Sequence, residues 1–282
     1  MSTDSHILKR YPAYKAPTNR DIKIWRYMEF TKFVAMLDQE GLFFSRADLL
    51  GDPFEGSIPL VNLRDREKVF REEILEPMAR ISDGNNVFAD PSTRNQAAKR
   101  WVEHTSMANR YDLQWTYINC WHMNEQESAA MWRLYSKTDE AIAIQTTYGV
   151  LRECLPADIF TGSITYLNYD TESIPAEIGF YRFTHKRKSF EHEQEVRAIF
   201  TKIPTKMIID EETGNQISGI DWEQKNTETG RDIHVDLNAL LKLVYVAPGA
   251  PIWFNRLVTR ILEKYKVNCE VRQSSMDNER LY

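Results

Sequence analysis

Residues 186–200 read Lys-Arg-Lys-Ser-Phe-Glu-His-Glu-Gln-Glu-Val-Arg-Ala-Ile-Phe, a basic cluster followed by alternating charged and apolar side chains. A repeat of two residues is typical of a β-strand, because successive side chains point to opposite faces. The apolar positions that would face a core are Val196, Ala198 and Phe200. The opposite face then carries Glu193, Glu195 and Arg197 side by side. Such a charged face indicates either a solvated surface strand, where Glu–Arg pairs add little stability, or one wall of an active site.

The opening of the chain predicts a strand, a helix and a second strand. Residues 22–28 have the pattern of a strand, apolar residues at helical spacing follow from Phe30 to Leu37, and residues 42–44 resume as a strand. Gly41 falls where a helix C-cap is expected, since glycine adopts the left-handed cap conformation without strain. Together with later strands and helices, this pattern predicts an α+β fold with a mixed or antiparallel sheet core flanked by helices.

The length of 282 residues and the 42% hydrophobic content suit one large domain or two small ones. Residues 1–20 are polar with two prolines, and we expect an N-terminal arm there. Residues 21–282 are predicted to form a single α+β domain. Within it, residues 62–110 are rich in charge and mostly helical, which indicates a helical insertion at about 62–110 rather than part of the core.

The charge balance restricts the partners of the chain. A net charge of −5 argues against broad, sequence-independent binding of nucleic acid, although a local basic patch stays possible. No apolar run approaches a membrane span, and the polar start is unlike a signal peptide. Three scattered cysteines suit a reducing compartment. We therefore expect a cytoplasmic protein without a membrane partner; its oligomeric state is left open.

Several common catalytic motifs are missing from the sequence. It has neither the Gly-x-Gly-x-x-Gly dinucleotide loop nor a Walker loop, and no Gly-x-Ser-x-Gly turn of a serine hydrolase. Cys120 and His122 have no further cysteine or histidine at ligand spacing, so no metal site is predicted.

The two glutamates late in the chain, Glu193 and Glu195, indicate acid–base chemistry instead. Close carboxylates can separate their pKa values so that one stays protonated near neutral pH, although Arg197 on the same face favours the charged form of both. Three large aromatic residues are consistent either with the core or with a pocket that stacks on a base or a nicotinamide ring, namely Trp121, Trp132 and Tyr135.

The order of several short motifs resembles the bacterial family catalogued as domain-of-unknown-function 2971, over roughly residues 22–270. The motifs are Trp25-Arg26-Tyr27, Gly51-Asp52-Pro53-Phe54-Glu55, Cys120-Trp121, Glu127-Ser128-Ala129-Ala130-Met131-Trp132 with Tyr135, and the segment from Lys188 to Arg197. Each motif is weak alone, and they are specific jointly. The family has no established activity, so this resemblance indicates kinship rather than function.

A more distant resemblance is to the ADP-ribosyltransferase superfamily, whose arginine-serine-glutamate members have an early Arg strand, a middle Ser strand and a late Glu-x-Glu strand. Arg26, Ser45 and Glu193-x-Glu195 match these positions in order. Ser45 lies earlier than the serine of the superfamily, no Ser-Thr-Ser triplet is present, and the alternative Ser128 falls on a predicted helix. The resemblance implies a similar fold and NAD as a substrate.

The same resemblance implies roles for individual residues. Glu195 would stabilise the ribosyl cation, Glu193 would orient or activate the acceptor, and Arg26 would hold a phosphate of the dinucleotide. Either Trp132 or Tyr135 would stack on the nicotinamide. It also implies a bacterial toxin or phage-defence effector.

The leading hypothesis is therefore an enzyme that acts on a small nucleotide, NAD, by ribosyl transfer or glycohydrolysis. The predicted catalytic residues are Glu195, Glu193 and Arg26. The predicted substrate-binding residues are Tyr27, Ser45, Asp52, Glu55, Trp121, Ser128, Trp132, Tyr135, Lys188 and Arg197.

Two alternatives stay open. One is a non-enzymatic module that binds nucleic acid or a phosphorylated ligand through residues 186–188 and nearby aromatic rings. The other is a nuclease that holds Mg²⁺ through Asp52, Glu55, Glu193 and Glu195.

Overall fold

The computed structural model describes residues 15–81, 87–175, 179–209 and 214–277. Most of the predicted N-terminal arm lies outside the described residues. Its last part lies against the domain: Lys15 forms an antiparallel bridge with Ser163, and the carbonyl of Arg20 accepts a hydrogen bond from the amide of Gly149 at 2.7 Å.

The described residues form thirteen strands and eight α-helices. The strands are β1 Lys23–Glu29, β2 Gly41–Arg46, β3 Thr116–Met123, β4 Ala141–Thr147, β5 Phe160–Ser163, β6 Thr165–Leu167, β7 His185–Arg187, β8 Glu195–Thr201, β9 Thr205–Ile209, β10 Gln216–Ile220, β11 Gly230–His234, β12 Leu243–Val246 and β13 Glu270–Gln273. The helices are α1 Phe30–Asp38, α2 Leu60–Val69, α3 Glu76–Ile81, α4 Pro91–Leu113, α5 Ala129–Tyr135, α6 Tyr148–Cys154, α7 Leu237–Leu240 and α8 Ile252–Lys264.

A nine-stranded sheet forms the centre of the fold. Seven strands follow the order β11-β2-β3-β1-β4-β12-β13, while β8 pairs with β3 and with β5. Its pairs are antiparallel except for β12 with β13. The predicted α+β class with a mixed sheet flanked by helices is thus confirmed. Two small ribbons, β9 with β10 and β6 with β7, lie outside this sheet.

The sheet divides along one edge of strand β3, which pairs first with β2 and then with β1. One edge of β3 pairs with β8 from Thr116 to His122. The other edge pairs with β2, where Ser45 faces Ile118, and then with β1, where Trp25 faces His122. Between these two contacts β1 and β2 separate, and the gap between them is called the fork below.

Both faces of the sheet are buried. On one face α1, α6 and α8 contribute to the main core, in which Phe33 of α1 and Phe254 of α8 are fully buried. On the other face, Trp25 and Tyr27 of β1 pack with Trp132 of α5. Burying a large apolar side chain stabilises a fold by about 1.5–3 kcal/mol, so these layers hold the central strands in place.

The helical insertion lies between β2 and β3. Helix α2 continues through a π-helical turn, Phe70–Leu75, into α3, and α4 follows with its first turn capped by the carboxylate of Asp90, which accepts from the amide of Thr93 at 2.8 Å. In the described ranges, no helix has both the length and the apolar character to cross a bilayer.

Candidate functional site

Strand β8 is buried on both faces. Val196 and Ala198 lie in the main core as the sequence predicts, and Phe200 packs against it while partly exposed. The opposite face is not solvated: Glu195 is 4% exposed and Arg197 only 1%. The interpretation of a surface strand is therefore wrong, because residues from three other segments cover this charged face.

Glu193 is not on the strand, which corrects the prediction of three charges on one strand face. It ends a short 3₁₀ helix, Lys188–Glu193, and the next residue, Gln194, has a left-handed backbone with a φ of 40°. The strand begins only at Glu195. The simple repeat of two thus fails at Gln194, where the chain turns.

The guanidinium of Arg197 uses all of its N–H groups within the protein. It forms a bidentate pair with Glu195, at 2.6 and 3.1 Å, and another with Glu55, at 2.6 and 2.8 Å. A further bond at 3.0 Å goes to the carbonyl of Phe183. A guanidinium offers five donors. Arg197 therefore orients two carboxylates and has no donor left for a substrate.

A lysine extends this network toward the surface. The ammonium of Lys186 donates to Glu193 at 2.5 Å and to Glu195 at 3.4 Å. We call the five side chains the acidic network: Glu55, Arg197, Glu195, Lys186 and Glu193. With all of them ionised, three carboxylates face two cations, so the network carries one excess negative charge.

The two glutamates that Lys186 joins differ in acidity. Burial raises the pKa of Glu195, but the Arg197 guanidinium and the Lys186 ammonium outweigh it and lower the pKa to about 2. Burial together with the neighbouring Glu195 raises the pKa of Glu193 above its usual value, although Lys186 acts in the opposite direction. Two neighbouring carboxylates therefore differ in their affinity for a proton.

Beside the acidic network, a row of paired residues crosses three neighbouring strands, β1, β3 and β8. Trp25 on β1 faces His122 on β3, which in turn faces Glu195 on β8. The Nδ1 of His122 donates to the carbonyl of Glu193 at 2.6 Å, which fixes the tautomer and the backbone of Glu193. Burial lowers the pKa of His122, so the imidazole is held neutral.

Cys120 links the acidic network to the fork. It faces Arg197 across the β3–β8 pair, and burial and the nearby Glu195 carboxylate raise the pKa of its thiol well above the usual value. The charge of Arg26 is influenced by Cys120 and by the hydroxyl of Tyr135. Arg26, Cys120, Tyr135 and the acidic network thus form one electrostatic cluster.

Arg26 adds a positive charge to this cluster without bonding a carboxylate directly. Its guanidinium lies at the fork and donates to the carbonyl of Phe43 at 3.3 Å. Burial lowers its pKa to about 10, which leaves it charged at neutral pH. In residues 15–81, 87–175, 179–209 and 214–277 it has no carboxylate partner. A partly buried cation without a counter-ion is suited to bind an anionic group.

Three tyrosines lie on the same side of the sheet as Glu195, and one of them bonds its backbone. The hydroxyl of Tyr166 accepts from the amide of Glu195 at 2.8 Å, and that of Tyr27 accepts from the amide of Ser128 at 2.9 Å. Burial of the hydroxyl and then the charges of Cys120, Glu193 and Glu195 raise the pKa of Tyr135, although the residue as a whole is 48% exposed. Tyr135 is therefore the aromatic ring of this cluster that a ligand can reach.

Other predicted residues have structural contacts instead. Trp121 lies in the main core on the opposite sheet face, and Trp132 is buried, with its ring edge-on to Tyr27 and its indole N–H on Glu127 at 3.1 Å. Ser128 caps α5 by accepting from the amide of Met131. Ser45 lies on β2 beside Ile118, and none of its hydrogen bonds reaches the acidic network.

The basic cluster at residues 186–188 is mostly engaged. Arg187 pairs with Asp52 at 2.7 Å, and its guanidinium lies 4.0 Å from the ring centre of Phe54. Lys186 belongs to the acidic network, and Lys188 alone extends from the surface. These contacts leave little basic surface for the nucleic-acid or phospho-ligand module.

The acidic residues proposed for a nuclease are each paired with a cation. Asp52 binds Arg187, Glu55 binds Arg197, and the two late glutamates share Lys186. Among the described residues, no group of three or more histidine, cysteine and acidic side chains has the arrangement of a metal site. A groove of about 860 Å³ lies elsewhere, near Phe200 and Arg231, and includes no member of the acidic network.

Sequence reasoning missed four residues of the cluster: Lys186, Cys120, His122 and Tyr166. Lys186 precedes the predicted strand in a run of basic residues, which suggested a surface patch. Cys120 and His122 lie two residues apart on β3 and therefore share a strand face. The alternation of side chains along a strand could have placed them together. Tyr166 comes from a distant segment, and no spacing rule indicates its contact.

Comparisons of the chain with protein-family models, with curated proteins and with solved structures find no match. The resemblances to the two families therefore stay predictions. A function for this chain has to be inferred from the chemistry of the acidic network and the fork.

Proposed function

We propose that the protein is an enzyme that cleaves the nicotinamide–ribose bond of NAD, or transfers the ribosyl group to an acceptor, with Glu193, Glu195 and Arg26 as its catalytic residues. One observation carries the proposal: the carboxylates of Glu193 and Glu195 share the ammonium of Lys186, at 2.5 and 3.4 Å, and Glu195 is in addition held by Arg197 at 2.6 Å. In keeping with these contacts, the pKa of Glu195 is lowered and that of Glu193 is raised. Two carboxylates in different environments are suited to two different roles in one reaction.

Glu195 supplies a permanent negative charge. Cleavage of a nicotinamide–ribose bond passes through an oxocarbenium-like state, and fixed negative charge lowers its energy. Glu195 stays ionised at any physiological pH, held in place by Arg197. The excess negative charge of the acidic network acts in the same direction.

Glu193 acts on the acceptor. As the ionised base it takes the proton from an acceptor hydroxyl or from water, and the acceptor oxygen forms a bond to the anomeric carbon of the ribose. The ribose–nicotinamide bond breaks, and its electron pair leaves with nicotinamide. A pKa raised above that of an ordinary glutamate makes Glu193 a stronger base.

The groups around the pair complete the proposal. Arg26 at the fork holds a phosphate of the dinucleotide, since its guanidinium lacks a counter-ion among the described residues. The accessible ring of Tyr135 stacks on the nicotinamide, in place of the buried Trp132. A cytoplasmic toxin or phage-defence role, as in the resemblance to ADP-ribosyltransferases, fits this chemistry and is part of the proposal.

Nicotinamide release from NAD tests the proposal directly. We expect the purified protein to release nicotinamide, alone or with a candidate protein acceptor. Glu193→Gln should lose about 100-fold or more in rate, because a general base contributes roughly 10²–10⁴-fold. The products are separated and quantified by chromatography.

Glu191→Gln is the matched control. Glu191 is an exposed glutamate two residues upstream in the same 3₁₀ helix, and its substitution should leave the rate unchanged. The proposal would be rejected by the absence of nicotinamide release together with the absence of any rise in melting temperature on adding NAD.

A further inference from the structure

The carboxylate of Glu193 lies beside Glu195 although the backbone does not place it there. The left-handed turn at Gln194 removes Glu193 from the strand. Hydrogen bonds fix the backbone on both sides of this turn: His122 donates to the carbonyl of Glu193, and the amide of Met123 donates to that of Gln194 at 2.9 Å. None of these bonds orients the side chain of Glu193.

Lys186 is what orients that side chain. Its ammonium is the one group in the described part of the chain that bonds to the Glu193 carboxylate, at 2.5 Å. The same ammonium contacts Glu195 at 3.4 Å and lies 4.6 Å from the ring centre of Phe190. Lys186 is itself nearly buried, with 11% of its side chain exposed. Because Lys186 is paired with both carboxylates, it holds Glu193 close to Glu195.

We infer that Lys186 is the positioning residue of the site: it tethers Glu193 to Glu195 across the turn at Gln194. In the proposed reaction, on which this inference rests, the tether keeps the base facing the same point as the fixed charge of Glu195. Loss of the tether should lower kcat more than it changes KM, because the binding groups Arg26 and Tyr135 are untouched.

The tether also has a consequence that requires no substrate. The charged groups that influence Glu193 are Lys186 on β7 and both Glu195 and Arg197 on β8. The other titratable groups that line the same face are neutral at physiological pH, namely Cys120 and His122 on β3, Tyr135 on α5 and Tyr166 on β6. Removing the ammonium therefore leaves Glu193 buried beside Glu195 with less compensation, and its pKa should rise.

The test is a carbon-13 NMR titration of the Glu193 carboxyl group in the full-length protein, assigned with Glu193→Gln. Lys186→Met should raise the midpoint by about one pH unit or more, since a nearby opposite charge shifts a carboxyl by roughly 1–3 units. Lys186→Arg keeps the charge and should restore most of the wild-type midpoint. Lys188→Met removes an exposed lysine two residues away and is the matched control, with an unchanged midpoint.

An unchanged midpoint in Lys186→Met would overturn the tether whatever the result with NAD. A raised midpoint in a protein that never releases nicotinamide would support the tether and reject the proposed reaction. Lys186→Gln, which keeps a donor without the charge, gives the same comparison if the methionine variant does not fold.

Discussion

Two buried arginines have different roles in this fold. Arg182 and Arg197 are both almost completely buried, and both lie near Phe183. Arg182 binds the carbonyls of Gly56 and Asn109 and the carboxylate of Asp112. These partners belong to α4 and to the loop before α2, so Arg182 fastens the helical insertion to the rest of the domain.

Arg197 instead joins acids to one another. It binds two carboxylates, Glu55 and Glu195, and Glu195 is connected through Lys186 to the partly buried Glu193. The Arg182 contacts are those of a structural clamp, whereas the Arg197 network ends in a partly buried acid, Glu193, with a raised pKa. The comparison shows that a buried arginine alone does not indicate a site. What distinguishes the Arg197 network is its excess carboxylate: three carboxylates share two cations.

Arg197→Met should produce the largest effect. It leaves Glu55 and Glu195 buried without their shared cation, and breaking a buried pair in this way costs about 3–5 kcal/mol. Urea unfolding should show that loss in the free energy of unfolding. Arg133→Met, at an exposed position of α5, should change stability by less than about 0.5 kcal/mol. A loss no larger than that of the Arg133 control would mean that the network is not a buried ionic unit.

Asp112→Asn should have a smaller effect that separates the two clusters. The substitution weakens a charge-assisted bond of Arg182, which is worth about 1.5–3 kcal/mol, and Asp112 is itself partly exposed. Stability should fall by about 2 kcal/mol or less, while nicotinamide release by the folded protein stays at the wild-type rate. A large fall in that rate would show that the Arg182 clamp also supports the reaction.

The sequence predicted the strand itself but not its surroundings. Val196 and Ala198 face the core because alternation depends only on neighbouring residues. The turn at Gln194 was not predictable, since glutamine has no particular preference for a left-handed backbone. The partners Glu55 and Lys186 reach Arg197 and Glu195 through tertiary packing, which spacing along the chain does not encode.

The sequence correctly indicates a structural need for glycine at position 41, but for the wrong reason. The sequence predicted a left-handed helix cap there, but Glu40 adopts the positive φ, at 47°, and Gly41 begins β2. Gly41 is required by close strand packing: a Cβ at this position would lie 2.8 Å from the carbonyl oxygen of Ile233. The local pattern identified the residue, and the neighbouring strand explains it.

The pH dependence of nicotinamide release tests the central claim most directly. Glu193 acts as a base only when ionised, so kcat/KM should fall as the pH decreases through its pKa, which lies above the usual value. Glu195→Gln removes a charge that raises this pKa, so the fall should move to lower pH in that variant, with a lower maximal rate. Release that is independent of pH between about 4 and about 8, or a profile that Glu193→Gln leaves unchanged, would contradict the account.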